Sequence, residues 1–236
     1  MLSELRVKIF ADGADADGIA QLARNEWIKG FTTNPTLMRA AGVTDYECFA
    51  REVLPLVAGR PISFEVFADD FEEMERQAGR IAAWGDDVNV KIPITNTRGE
   101  SSQGLLCRLA EEGVRVNVTA LLTVDQVRVA TAALAGGPPS FISVFAGRVA
   151  DTGVEPVPLM REALEVMAPH PNLELIWASP REILNVVQAD AIGCHVITVT
   201  PDILKKLPLL GRDLAEHSLD TVRMFHRDAE AAGYSL

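Results

Sequence analysis

The stretch Val88-Asn89-Val90-Lys91-Ile92-Pro93-Ile94-Thr95 places a lysine in the middle of what otherwise reads as a buried strand. A buried ammonium is costly and almost never occurs without a partner or a purpose. Val88, Val90, Ile92 and Ile94 form one apolar row, which sends Asn89, Lys91 and Pro93 to the opposite face, because side chains alternate along a strand. What that second face meets is decided by the rest of the chain.

Short β-branched runs alternate with longer segments of helical period from one end to the other. The strand candidates are VKIFAD (7–12), GFTTNP (30–35), PISFEVF (61–67), VNVKIPI (88–94), VRVNVTAL (114–121), FISVFAG (141–147), LELIWAS (173–179) and HVITVT (195–200). Between them lie stretches such as DDFEEMERQAGRIAAWG and TVDQVRVATAALAGG, with apolar residues recurring at three and four and a glycine after the last turn. Thr123 and Gln126 have the spacing of a capping box. Eight strand-then-helix units in 236 residues predict a (β/α)8 TIM barrel. A doubly wound open sheet is the alternative, but the first turn carries no glycine fingerprint for a dinucleotide.

No linker, low-complexity segment or internal repeat interrupts the series, so residues 1–236 read as a single barrel domain. An extra helix over 212–232 follows the eighth unit, starting near Asp213 and stopped by Gly233. Its Leu214, Leu219, Val222, Met224 and Phe225 form an uneven apolar stripe that must cover the barrel base or a neighbouring subunit.

Hydrophobic residues make up 48% of the chain and charged residues 23%, ordinary for a globular enzyme. A net charge of −11 without any basic cluster argues against nucleic acid as a partner. Cys48, Cys107 and Cys194 have no metal-ligand spacing and read as small buried apolar residues in a reducing interior. The N-terminal MLSELRVKIFADG lacks a long apolar run and no segment approaches bilayer length, so the expectation is a cytoplasmic protein without membrane contact.

In a barrel one strand face meets the helices and the other the axis. The alternation sends Asp12, Thr32, Asn34, Glu65, Lys91, Asn117, Thr119, Ser143 and Phe145 inward. An inert barrel interior is filled with Val, Ile and Leu, so polar groups converging near the strands' C-terminal ends mark an active site. Lys91 suits attack, as a neutral amine, on a ketone to give a Schiff base. Burial favours that amine and the carboxylates favour the ammonium. Trp177 is also read as inward, lining the pocket or plugging the barrel. His195 reads as a packed core histidine, and the acidic run ADGADADG lacks the terminal Glu of a calcium loop.

These residues resemble the transaldolase family, in particular its short-chain branch shared with fructose 6-phosphate aldolase. The resemblance spans essentially the whole chain. It rests on Asp12, TTNPT from Thr32, FEV around Glu65, VKIPIT around Lys91, NVT from Asn117 and SVFAGR from Ser143 to Arg148. It implies that Lys91 forms a Schiff base with a ketose phosphate, that Asp12 takes the C4 hydroxyl proton, and that Glu65 and Thr119 hold a proton-shuttling water. It implies substrate contacts at Thr33, Asn34, Asn117, Ser143 and Phe145, phosphate contacts at Arg148, Ser179 and Arg181, and no metal or other cofactor.

Glu65 and Phe145 stand where the family's transaldolases have Glu and Phe and its fructose 6-phosphate aldolases have Gln and Tyr, which favours transfer over release of free dihydroxyacetone. A lyase is the alternative reading, and a catalytically silent barrel a third. Ala178-Ser179-Pro180-Arg181 departs from the family's usual Ser-Phe-Arg/Lys, so Arg181 reads either as a second phosphate ligand or as a solvated helix-start arginine. Short-chain relatives commonly form ring-like homo-oligomers through the extra helix, and the same is expected here.

Overall fold

The computed structural model describes residues 4–234. Eight parallel strands close into a barrel in chain order: β1 (Lys8–Asp12), β2 (Ile28–Thr32), β3 (Ile62–Glu65), β4 (Val88–Pro93), β5 (Val116–Leu121), β6 (Ser140–Val144), β7 (Leu173–Trp177) and β8 (Val196–Val199). Every expected strand is present, trimmed or shifted by a few residues. Between them run α1 (Ala16–Leu22), α2 (Pro35–Ala40), α3 (Tyr46–Val53), α4 (Phe71–Ala82), α5 (Gln103–Glu111), α6 (Val124–Leu134), α7 (Ala146–Asp151), α8 (Pro156–Met167) and α9 (Leu184–Ala191). Two more helices, α10 (Pro201–Leu204) and α11 (Leu214–Ala232), follow β8.

The helices form where apolar spacing and end chemistry agree. In α4, Met74, Ala78 and Ile81 recur on one buried face while Asp70 caps the N-terminus by accepting from the Glu72 and Glu73 amides. Thr123 and Gln126 make the expected reciprocal capping box on α6. In the acidic run after β1, Asp15 caps α1 by accepting from the Gly18 amide.

The main apolar core lies between sheet and helices. A second, smaller one fills the floor of the barrel itself, where Phe10, Phe141, Ile176, Ala178 and Val196 meet. Phe10 and Phe141 cross edge to face with centroids 5.5 Å apart. Gly30 makes room for that floor: a Cβ there would lie 2.5 Å from the Phe10 ring. With the floor plugged, the polar side chains above it open only toward the strands' C-terminal ends.

Two expectations need correction, and one of two alternatives falls away. Trp177 faces the helix layer, fully buried in the main core, because Ile176 of β7 and Ala178 just after it hold the inward positions. Cys48 is exposed on α3. The stripe of α11 covers no part of the barrel, since none of its residues is buried. His195 fits its reading: its Nδ1 accepts from the Leu175 amide at 3.0 Å and burial lowers its pKa. No helix among the described residues is long and apolar enough to cross a membrane.

Candidate active site

A cavity of about 510 Å³ opens at the C-terminal end of the barrel. Its walls include Asp12, Thr32, Asn34, Glu65, Lys91, Asn117, Thr119, Ser143, Phe145, Arg148, Ser179 and Arg181, so residues far apart in sequence converge as the strand parity requires.

Lys91 is 6% exposed, and its placement follows from β4 itself: Val90 and Ile92 anchor the strand in the outer core and aim the side chain between them at the axis. Its Nζ donates to the Thr33 carbonyl at 2.8 Å and lies 3.3 Å from the Glu65 carboxylate. Register aligns the pair, since Glu65 and Lys91 are direct partners across β3 and β4. Glu65 is held from behind by Tyr46, whose hydroxyl accepts from the Glu65 amide at 2.7 Å and donates to its carbonyl at 3.1 Å. Burial raises the pKa of the Tyr46 phenol, so it stays neutral and keeps both bonds.

Asp12 ends β1 beside this pair and accepts from the Thr32 hydroxyl at 2.8 Å. Burial raises its pKa, outweighing the opposing effects of the Lys91 charge and the Thr32 hydrogen bond; Glu65 adds a further raising contribution. On the opposite wall Asn117 donates to the Ser63 hydroxyl at 3.0 Å and accepts from Ser143 at 2.7 Å, which fixes the amide's orientation.

Thr119 sits at a bulge. Between the Val118–Ile142 and Leu121–Val144 pairs, β5 carries two residues against one on β6, and Ala120 takes up the extra step at φ +65°. The Thr119 hydroxyl is buried with no hydrogen-bond partner among the described residues. A buried hydroxyl without a protein partner in a cavity wall is suited to a water or a substrate.

Other expected contacts divide. Asn34 lines the cavity, but its Oδ1 caps α2 through the Leu37 amide at 3.0 Å, leaving only the amide nitrogen. Thr33, expected to contact substrate, does not line the cavity: its hydroxyl donates to the Ser63 carbonyl at 2.9 Å, and it meets Lys91 through its own carbonyl. Arg148 stands over the Phe145 ring, 5.2 Å from its centroid. Arg181 reaches the cavity despite Pro180, with its fork held on Asp151 and one nitrogen 3.1 Å from Ser179 Oγ.

A backbone contact joins this end of the site. Gly147, in the first turn of α7, lies so near the Ser179 carbonyl that a Cβ would stand 1.6 Å from that oxygen. Ser179 itself has φ +58°. Only glycine at 147 lets the start of α7, bearing Arg148, meet the loop after β7, bearing Ser179 and Arg181.

Sequence reasoning missed Tyr46, which lies on a helix and acts through the backbone, and Thr198 of β8, which lines the cavity and lies 2.5 Å from the Thr32 hydroxyl. The inward parity of Thr198 was readable, because Ile197 and Val199 face the helices.

Comparison with known proteins gives a consistent assignment. Residues 9–236 match the model of the family described as Transaldolase/Fructose-6-phosphate aldolase. A "Probable transaldolase" of Dehalococcoides mccartyi is 32% identical, with 91% of this chain and 97% of that protein covered. One from Hyphomonas neptunium is 34% identical over 98% of this chain and all of that protein. Among solved structures, 2,3-dimethylmalate lyase superimposes at TM-score 0.53 and 12% identity, covering 99% of this chain and 86% of that one, a likeness of fold alone. Barrel, motifs and full-length similarity together make this chain a member of the transaldolase/fructose-6-phosphate aldolase family.

Proposed function

We propose that this protein is a transaldolase that moves a dihydroxyacetone unit from a ketose phosphate to an aldose phosphate through a Schiff base on Lys91. The observation that carries the reading is Lys91: one buried amine on the barrel axis, flanked by carboxylates from β1 and β3 and facing an open cavity. Family membership supports transaldolase-type chemistry.

In this reading the neutral Lys91 amine adds to C2 of the donor and water leaves, giving an iminium. Asp12 accepts the proton of the C4 hydroxyl; that O–H pair becomes the new carbonyl, and the C3–C4 pair moves to the iminium, forming a three-carbon enamine. The aldose phosphate leaves, an acceptor aldehyde takes its place, and the steps reverse. Glu65 and Thr119 hold the water that carries protons during imine formation and hydrolysis. Asn117, Ser143 and the free amide nitrogen of Asn34 bind sugar hydroxyls. Arg148, Ser179 and Arg181 receive the phosphate.

Glu65 and Phe145 support transfer, since a Phe offers no hydroxyl to protonate the enamine and end the reaction as a lyase would. The reading places the enzyme in the cytoplasm, in sugar-phosphate interconversion of the pentose phosphate type. It takes residues 1–236 as one working domain, assembled as a homo-oligomer through α11.

Borohydride reduction with fructose 6-phosphate tests it. A dihydroxyacetone adduct on Lys91 alone, with turnover that requires an acceptor, is the expected result. Label on a different lysine, or full activity in Lys91→Met, would overturn the mechanism; acceptor-independent release of dihydroxyacetone would favour the lyase.

A further inference from the structure

The hydroxyls of Thr32 and Thr198 come from β2 and β8, the two strands that flank β1, and they meet 2.5 Å apart on the inner wall. Thr32 is the direct register partner of Asp12, while Thr198 pairs with Phe10, one inward position lower. Thr32 is 3% exposed and Thr198 6%, and both line the cavity.

Counting protons fixes the direction of this chain. An ionised carboxylate only accepts, so the single hydroxyl proton of Thr32 goes to Asp12 Oδ1. The bond between the two threonines must then use the proton of Thr198. Thr198 thus donates to Thr32, and Thr32 donates to Asp12. A hydroxyl that accepts one bond is a better donor in the next. No protein donor reaches Asp12 Oδ2 among the described residues, so the chain holds one oxygen and leaves the other toward the cavity.

We propose that Thr198 is a positioning residue for Asp12, acting through Thr32 to orient the carboxylate and to favour its ionised form. The inference rests on the reading of Asp12 as the base. Other charged groups facing Asp12 are Lys91 from β4, which favours the carboxylate, and Glu65 from β3, which opposes it. The threonine pair is the uncharged contribution that can be removed without altering either.

The test is the acid limb of the pH profile of kcat/KM for transfer, in isosteric variants. Thr32→Val should move the limb to higher pH by about one to two units, the value of one hydrogen bond to the charged form. Thr198→Val should move it the same way by less, and Thr198→Ser should restore it. Because Thr198 acts only through Thr32, the double variant should match Thr32→Val alone. Titration of the Asp12 carboxyl by difference infrared spectroscopy, with Asp12→Asn as the blank, reads the same displacement should turnover be too slow.

A Thr198→Val profile that superimposes on the wild type, or shifts that add in the double variant, would overturn the proposal. A limb that persists in Asp12→Asn would instead remove Asp12 as the base, and the proposal with it.

Discussion

The guanidinium of Arg181 is forked onto the carboxylate of Asp151, with Nε 2.9 Å from Oδ1, while its remaining nitrogen meets Ser179 Oγ. Arg181 lowers the Asp151 pKa, so the acid is ionised throughout the neutral range and sets a negative charge at the end of the cavity assigned to phosphate. Both side chains are about half exposed, so the pair adds little to stability. Its consequence is for binding.

Asp151→Asn keeps an acceptor for the fork and removes the charge that opposes a phosphate. The KM for fructose 6-phosphate should fall about two- to fivefold with kcat unchanged, and the gain should fade with added salt. Arg181→Ala should raise the same KM at least tenfold. Unphosphorylated fructose is the control, and equal effects on both sugars would remove the phosphate assignment.

Asp12 illustrates what the site costs the fold. Its folded-state pKa lies above the ordinary carboxylate value, so between the unfolded and folded pKa values the native state binds more protons than the unfolded chain. Stability from this group is therefore full at acid pH and is lost as the pH rises through the folded value. Asp12→Asn, which keeps the Thr32 bond without the charge, should melt above the wild type at pH 7, with the gap closing toward pH 4. Thermal unfolding at the two pH values checks this, and a gap that widens toward acid would mean that the Lys91 attraction outweighs burial.

The eight strands and their inward polar residues were legible because most strands pair a β-branched apolar row with an interrupted one, and a period of two fixes the phase. The phase failed at the end of β7 and just beyond it, where Leu175, Ile176, Trp177 and Ala178 are apolar on both faces. Glu174 carried the correct signal: it shares the inward parity of Ile176 and pairs with Lys8, at 2.5 Å, near the N-terminal end of the barrel. Thr33 was misplaced because adjacent residues face opposite ways, and its neighbours Thr32 and Asn34 hold the cavity positions. The Gly147–Ser179 approach depends on backbone position, and Tyr46 reaches the Glu65 backbone from α3; the alternation of strand side chains records neither.

Tyr46 supplies a prediction that separates positioning from contact. Its ring sits among Phe64, Phe67 and Trp84, and only the hydroxyl touches Glu65, through the backbone. Tyr46→Phe keeps the ring and leaves the Glu65 amide without this acceptor, at a cost of about 1–3 kcal/mol in stability. Loosening Glu65 beside Lys91 should lower kcat about tenfold with little change in KM, and slow Schiff-base formation in a single turnover. A variant that loses stability but forms the imine at the wild-type rate would make Tyr46 purely architectural.

The last prediction concerns α11, which is built to persist as a helix yet has nothing of its own barrel to cover. Asp213 caps it by accepting from the Glu216 amide, Arg212 pairs with Asp220, and Gly233 closes it in the left-handed conformation at φ +67°. Val222 and Phe225 remain 60% and 63% exposed, and Leu219 about half. A closed barrel has no sheet edge to offer, so subunits must meet through helices, and an amphipathic helix left out of the core is the element available. Truncation after Gly211 should leave the barrel's melting temperature measured at low protein concentration nearly unchanged and reduce the assembly to smaller species in light scattering. Val222→Glu combined with Phe225→Glu should do the same without shortening the chain, because a charged stripe cannot be buried on a neighbour unpaired. A full-length protein that is already monomeric would end the proposal, and a truncated one that keeps its full assembly would move the interface to another face of the barrel.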